Sequence, residues 1–421
     1  MQFILTTLGC KTNRYEGTAL SAELIRLGMT PAASLETADI FIVNSCTLTE
    51  NSDRKTRRLL AAAKRINPHI ITILTGCMPQ VYPEKAAVLA ANITTGTSER
   101  QELPSLITQF IKSRTAINKI APLSDIYEEF SAGSASERTR AFIKIQDGCD
   151  CNCTYCIVPA ARGKPRSRPL DSVRAEALAS VAAGYKEIVL TGINLAKHTD
   201  LCAVVEIAAQ HAERVRLSSL EPDLLTDEML ERLSKTANLC PHFHLSLQSG
   251  SDSVLKRMGR RYTSDDYTRT IKNIRSLFGT DCTFTTDMIT GFPGETEQEF
   301  SESLCFARQI GFSKIHVFPF SPRPGTSAAL MTGQVPRDIM RDRRDKLLAV
   351  ADELRAVFLG RQIGRTFNVL VEKDNFGYTE NYAPVKIIGG KYKQNDIIKT
   401  KIINKGDKNN VSSQYLYGEK A

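Results

Sequence analysis

Hydrophobic and polar positions divide the chain into stretches of different period. From residue 2 to about 113, short apolar runs alternate with longer segments whose apolar residues recur every three or four positions. Phe3 to Leu8, Ile40 to Asn44 and Ile70 to Thr75 read as buried strands, and Arg14 to Leu27 and Leu48 to Ile66 as helices. Short strands separated by helices of this length predict a mostly parallel sheet with right-handed crossovers. The pattern fades between Arg114 and Arg140, where Ser131-Ala132-Gly133-Ser134-Ala135-Ser136 reads as a linker.

A second alternation begins at Ala141. Its strands are expected near Phe142 to Gln146, Glu187 to Thr191, Val215 to Ser218, His242 to Leu247, Thr283 to Ile289 and Ile315 to Phe320. This segment is too short for an eight-stranded barrel, which needs about 250 residues, so an open (β/α)6 partial TIM barrel is expected. A charged amphipathic helix follows from Pro336 to about Leu359. The tail then alternates with period two at Phe367 to Val371, Val385 to Ile388 and Ile397 to Ile403, separated by Gly and Asn, which predicts a small β-barrel. The expected organisation is a parallel α/β domain over residues 1–118, a linker over 119–140, the partial barrel over 141–358 and the small barrel over 359–421.

Composition agrees with several cores. A length of 421 residues suggests roughly three domains, and 42% hydrophobic with 24% charged residues excludes global disorder. No run reaches the length of a membrane span, and Leu8-Gly9-Cys10 lacks the basic and apolar context of a lipoprotein leader, so no membrane association is expected. Of the net charge of +9, five units fall in the last 61 residues. Lysines interspersed with Tyr and Phe on a small barrel suit phosphate contact and base stacking, which points to a nucleic-acid partner. Eleven cysteines, an odd count in a long chain, favour reduced ligand-type thiols and a cytoplasmic location.

Cys149, Cys153 and Cys156 form a Cys-x3-Cys-x2-Cys cluster just after the first strand of the partial barrel. Chance would produce about 0.008 such triplets in a chain with this cysteine content. Three thiolates can hold three irons of a [4Fe-4S] cluster and leave the fourth open to a small chelator. The competing reading is structural zinc with Cys151 as fourth ligand, although closed zinc sites usually join two separated pairs. Cys10, Cys46 and Cys77 are scattered in sequence, yet each follows an expected strand of the first sheet. Ligands of parallel α/β sheets sit beyond the carboxyl ends of the strands, so these three could share a metal; buried cysteines of no chemical consequence are the alternative.

The Cys149, Cys153, Cys156 spacing, with Tyr155 before the last cysteine, resembles the radical S-adenosylmethionine superfamily. The resemblance implies that the open iron binds the amino and carboxylate groups of S-adenosylmethionine, and that one electron cleaves it to methionine and a 5′-deoxyadenosyl radical. Leu8-Gly9-Cys10-Lys11-Thr12-Asn13, Asn44-Ser45-Cys46-Thr47 and Thr75-Gly76-Cys77 resemble the three cysteine motifs of the methylthiotransferase family within it. Further similar stretches are Leu190 to Leu195, Ser246 to Gly250, Thr286 to Thr296, Ser321 to Thr326 and Gly377 to Tyr382, and the tail resembles a TRAM domain. The family resemblance implies a second [4Fe-4S] cluster on Cys10, Cys46 and Cys77 that delivers sulfur, two uses of S-adenosylmethionine, a tRNA anticodon stem-loop as partner and an electron donor of flavodoxin or ferredoxin type. Cys10-Lys11-Thr12-Asn13 is similar to the Cys-Lys-x-Asn of the subgroup acting on N6-threonylcarbamoyladenosine at tRNA position 37, with Thr12 in place of Val. The corresponding triplets of the enzymes acting on isopentenyladenosine or on a ribosomal-protein aspartate are absent.

Gly192, Asn194, Gln248, Ser249, Asp287 and Gly291 fall at or beyond strand ends and are the candidates for binding S-adenosylmethionine. No acid/base catalyst is expected. Cys151, Cys202, Cys240, Cys282 and Cys305 are expected to be bystanders, and His242 and His244 to pack or hydrogen-bond rather than ligate. Arg257, Arg260 and Arg261 suit either phosphate contact or a solvated helix end. The alternatives to the tRNA reading are the other two substrates of the family or a non-catalytic, metal-stabilised RNA-binding protein.

Overall fold

The computed structural model describes residues 1–98, 100–131, 139–406 and 415–421. Its first unit is a six-stranded, all-parallel sheet in the order Thr30–Pro31, Gln2–Thr7, Ile40–Ser45, Ile71–Gly76, Ile93–Thr95 and Ile117–Lys119. Ile40–Ser45 and Ile71–Gly76 are buried at every position, as central strands covered on both faces must be. The helix Glu50–Ile66 is fixed at its start by Thr49, whose hydroxyl accepts the Ser52 N–H, and carries Glu50 and Asp53 at its positive end with Lys64 and Arg65 at its negative end. The last two strands have only three residues each, too few to show a period.

The second unit carries the six expected barrel strands, with the third broken at Ser218 into Arg214–Leu217 and Ser219–Leu220. The ladders among these strands are parallel, a short antiparallel pair joins Gln146–Asp147 to Arg166–Ser167, and helices such as Ser264–Phe278 and Glu297–Ile310 lie between the barrel strands, each opened by a reciprocal capping box, Thr263 with Asp266 and Thr296 with Glu299. The helix Arg337–Gly360 leads into a closed five-stranded barrel of Thr366–Lys373, Phe376–Tyr378, Pro384–Ile388, Ile397–Lys405 and Leu416–Lys420.

The small barrel is seated against the starts of the parallel strands. Arg216 donates to the Glu380 carbonyl at 3.0 Å, and the Thr283 hydroxyl to the Asn381 carbonyl at 2.8 Å. The segment after Lys119 is docked rather than free: the Tyr127 hydroxyl donates to the Lys144 carbonyl at 2.9 Å, and Glu129 pairs with Arg168 at 3.0 Å. Ala132 to Ser136, the core of the expected linker, lies outside the described residues.

Candidate active site

Cys10, Cys46 and Cys77 stand at the carboxyl ends of three neighbouring strands, Gln2–Thr7, Ile40–Ser45 and Ile71–Gly76. Cys10 caps the helix Lys11–Arg26, and Cys77 opens the short helix Cys77–Val81. The chain reaches both through glycines at positive φ, +95° at Gly9 and +100° at Gly76. A Cβ on Gly9 would lie 2.5 Å from the Cys46 Cβ and 2.6 Å from its sulfur, so only glycine leaves that thiol its place.

One side chain ties these loops together. The Asn13 amide donates to the Leu8 and Ser45 carbonyls at 2.9 Å each, and its oxygen receives the Cys77 thiol at 3.7 Å. Burial, with Cys77 and Cys10 adding to it, pushes the Cys46 thiol up to about 12, and burial raises Cys77 as well. Binding a metal there therefore displaces protons.

The Cys149 loop is held from behind. The Cys149 N–H donates to the Gly163 carbonyl at 2.9 Å, the Thr154 N–H to the Met258 carbonyl at 2.9 Å, and the Cys156 N–H to the Cys153 carbonyl at 2.9 Å. Arg260, from the basic run, points its guanidinium at the Cys153 sulfur at 3.3 Å while pairing with Glu221, so it is neither a phosphate contact nor a solvated helix end. Cys151 is no bystander in the contact sense: its thiol hydrogen-bonds Cys149, which lowers the Cys149 pKa, and it receives the Asn194 amide at 3.8 Å. Burial pushes Cys156 up to about 12.

Both triads fit a polynuclear cluster better than a single zinc ion. Tetrahedral Zn–S bonds would draw the sulfurs to about 3.8 Å from one another. Among the described residues, the one group of three candidate ligands whose donor atoms all lie within 4.8 Å is His244, Asp287 and His316, and neither cysteine triad is drawn up so closely.

A cavity of about 540 Å3 opens between the two units. Cys10, Cys46 and Cys77 form one wall; Gly192, His244, Asp287 and His316 form another, and Ile157 and Val158 bring in the chain directly after Cys156. Asp287 stays ionised against its burial because His244 stands 3.4 Å away, while burial and Lys314 push His316 down to about 4. His242 and His244 share the Thr285 hydroxyl, at 3.2 and 2.9 Å. Lys11 exposes its side chain into this cavity, where the surrounding protein still desolvates it and lowers its pKa.

Gly192 and Asp287 reach the cavity, whereas the other pocket candidates do other work. Ser249 is buried with its hydroxyl 3.1 Å from that of Ser303, facing the helix Glu297–Ile310, and Gly291 makes room for Met340, whose Cγ would lie 2.1 Å from an added Cβ. Gln248 holds a positive φ of 71° and bonds its backbone to that of Asp287 and Ile289, and the Asn194 N–H is fixed by the Gln146 side chain at 2.8 Å. Ser249 and Gly291 are not among the residues that line this cavity.

A further set of residues joins the two cysteine loops. Arg162 pairs with Glu16 and Asp147 and donates to Asn13; Lys144 reaches Glu16 at 2.7 Å and Asp147 at 2.6 Å, and Arg100 reaches Glu16 at 3.0 Å. Burial alone would raise Glu16, and the three cations outweigh it and hold the carboxyl at about 2. On the other side, Arg323 donates to Thr47 at 2.8 Å and pairs with Asp53 at 2.5 Å, fixing the segment after Cys46. None of these pairings has a sequence signal, although Asn13 and Arg323 lie inside the recognised motifs.

The Radical SAM superfamily profile matches residues 143–307, and that of the Uncharacterized protein family UPF0004 matches residues 2–95. The chain is 36% identical to the threonylcarbamoyladenosine tRNA methylthiotransferase MtaB of Bacillus subtilis (strain 168), over 95% of this chain and 93% of that protein. The chain belongs to the MtaB-type methylthiotransferase family of radical S-adenosylmethionine enzymes. The MtaB of Thermotoga maritima is 37% identical over 92% of this chain and 91% of its own length, and the tRNA-2-methylthio-N(6)-dimethylallyladenosine synthase of Clostridium botulinum (strain Langeland) is 33% identical over 96% and 94%. Among solved structures, the radical S-adenosylmethionine methyltransferase TsrM of Kitasatospora setae shares the fold with a TM-score of 0.57 at 14% identity, covering 78% of this chain and 77% of that one. A radical SAM domain implies one [4Fe-4S] cluster and S-adenosylmethionine. Among the described residues, no helix of this methylthiotransferase is long and apolar enough to cross a membrane.

Proposed function

We propose that this methylthiotransferase converts N6-threonylcarbamoyladenosine at position 37 of the tRNA anticodon stem-loop to its 2-methylthio derivative, in the cytoplasm, with electrons from a flavodoxin- or ferredoxin-type protein. The observation that carries the reading is the single cavity walled by Cys10, Cys46 and Cys77 and entered by the chain leaving Cys156. Cys149, Cys153 and Cys156 would hold one [4Fe-4S] cluster, and Cys10, Cys46 and Cys77 a second. When bound, the two clusters and S-adenosylmethionine supply one-electron cleavage and a methylated sulfur, chemistry that an unactivated adenine carbon requires and acid/base groups cannot provide.

The chain's own residues position and exclude. Asn13 and the Glu16–Arg162 pair fix one cysteine loop relative to the other, and Arg260 presents positive charge to Cys153. Ile157, Val158 and Phe318 make part of the cavity wall apolar, which limits competing water. The small barrel offers Lys386, Lys399 and Lys401 for phosphates, with Tyr415 and Tyr417 as stacking surfaces.

Mass spectrometry of tRNA nucleosides from cells with and without the gene tests this reading. The expected result is loss of 2-methylthio-N6-threonylcarbamoyladenosine and accumulation of its precursor. Loss of the isopentenyladenosine product, or an unchanged nucleoside profile, contradicts it.

A further inference from the structure

The enclosed cations of this protein are almost all paired. Arg162, Lys144 and Arg100 share Glu16, Arg216 holds Glu187, Arg260 holds Glu221, and Arg323 holds Asp53. Lys11 is different. It lines the cavity next to Cys10, and among the described residues its ammonium has no hydrogen-bond acceptor and no carboxylate within 4.0 Å. Asp287, on the facing wall, is occupied instead by His244 at 3.4 Å. Lys11 is exposed to the solvent of the cavity, so an occupant that displaces that water must supply a counter-charge, since desolvating an unpaired charge is costly.

We propose that Lys11 binds the carboxylate of the substrate's threonylcarbamoyl group and so selects an acidic over a neutral N6 substituent. The proposal rests on the function given above and adds to it the residue that reads the side arm. Two carboxylates are candidates, that of the substrate and that of S-adenosylmethionine. Lys11 stands on the wall that carries Cys10, Cys46 and Cys77, and none of Cys149, Cys153 and Cys156 lines the cavity, which favours the substrate. A neutral hydrocarbon substituent would bury the ammonium without compensation, so the same residue also acts against the wrong base. Arg14, one turn further along the helix, also lines the cavity without a side-chain partner among the described residues, and it serves as the control cation.

The test uses reconstituted holoenzyme and two synthetic anticodon stem-loops, one bearing N6-threonylcarbamoyladenosine and one bearing its carboxamide, which keeps the shape and removes the charge. Affinity is read by fluorescence anisotropy and turnover by nucleoside mass spectrometry, with iron content checked for each variant. Wild type is expected to bind the acid about tenfold or more tightly than the amide, the scale of one charge-assisted hydrogen bond. Lys11→Gln should bring the two within about twofold, Lys11→Arg should restore part of the preference, and Arg14→Gln should weaken both ligands alike while keeping the ratio.

Equal wild-type affinity for the two stem-loops, or a preference that survives in Lys11→Gln, overturns the proposal. So does weakened S-adenosylmethionine binding in Lys11→Gln with the acid preference intact, which would assign the ammonium to the cofactor's carboxylate. If wild type turns over neither stem-loop, the functional reading itself fails; if it turns over the acid but shows no dependence on Lys11, only the present assignment does.

Discussion

Arg162 and Glu16 meet as a two-pronged pair, Nη1 to Oε1 at 2.5 Å and Nη2 to Oε2 at 2.8 Å, and each is at most 2% exposed. Arg162 ends the helix that follows Cys156, and Glu16 lies on the helix that follows Cys10, so one ion pair sets the two cysteine loops against each other. Replacing Arg162 by Ala leaves Glu16 and Asp147 buried with less positive charge, a loss of about 3–5 kcal/mol for a broken buried pair. Chemical denaturation of the apoprotein should show that loss, and a change below 1 kcal/mol would remove the pair from the account.

Asn13→Ala should act more locally. The substitution strips the donors from the Leu8 and Ser45 carbonyls, at about 1–3 kcal/mol for buried groups left unmet. Reconstituted Asn13→Ala is expected to lose iron from the Cys10 side first, approaching four irons per chain from about eight. Full iron with normal electron paramagnetic resonance of both clusters would contradict this.

Gly9→Ala places a methyl group 2.5 Å from the Cys46 Cβ at a φ of +95°, where L side chains are strained. Iron bound by the first triad should fall below half of wild type. Ala at Gly28, also at positive φ but with open space around it, should leave iron unchanged.

Acid should weaken the seat of the small barrel. Glu187 is buried, and although burial raises its pKa, Arg216 and Arg140 outweigh this and hold it at about 2, against an ordinary 4.5. A depressed carboxyl contributes stability above its unfolded value, so about 3 kcal/mol is present at neutral pH and is lost as pH falls from 4.5 towards 2. Glu187→Gln should therefore be less stable than wild type at pH 7, with the gap narrowing below pH 4.5 and closing only as pH approaches 2 in denaturant titrations. A gap that stays constant with pH would rule out this assignment.

The strands and the six cysteines were legible because their signals are local: β-branched runs, and thiols just after strand ends, two of them preceded by glycine. The pairing that holds the cysteine loops together was not. Glu16 and Arg162 are 146 positions apart, and nothing in either neighbourhood distinguishes a buried ion pair from a solvated charge. The packing of Ser249 and Gly291 away from this cavity was hidden for a related reason, since a strand-end position says that a residue is near the cavity end of the barrel but not which way it faces. Tyr127 and Glu129, in a segment of weak periodicity, dock through single side chains that no period reveals.

The central claim is that two separate cysteine tripods each hold an iron–sulfur cluster, one in the wall of the cavity and one on the loop whose chain enters it. Iron analysis with Mössbauer spectroscopy on anaerobically reconstituted wild type and on the Cys10→Ala, Cys46→Ala, Cys77→Ala triple variant tests it directly. The account predicts about eight irons in two [4Fe-4S] clusters for wild type and about four in one cluster for the variant. Equal iron in the two proteins, or zinc in place of iron in the wild type, would contradict it.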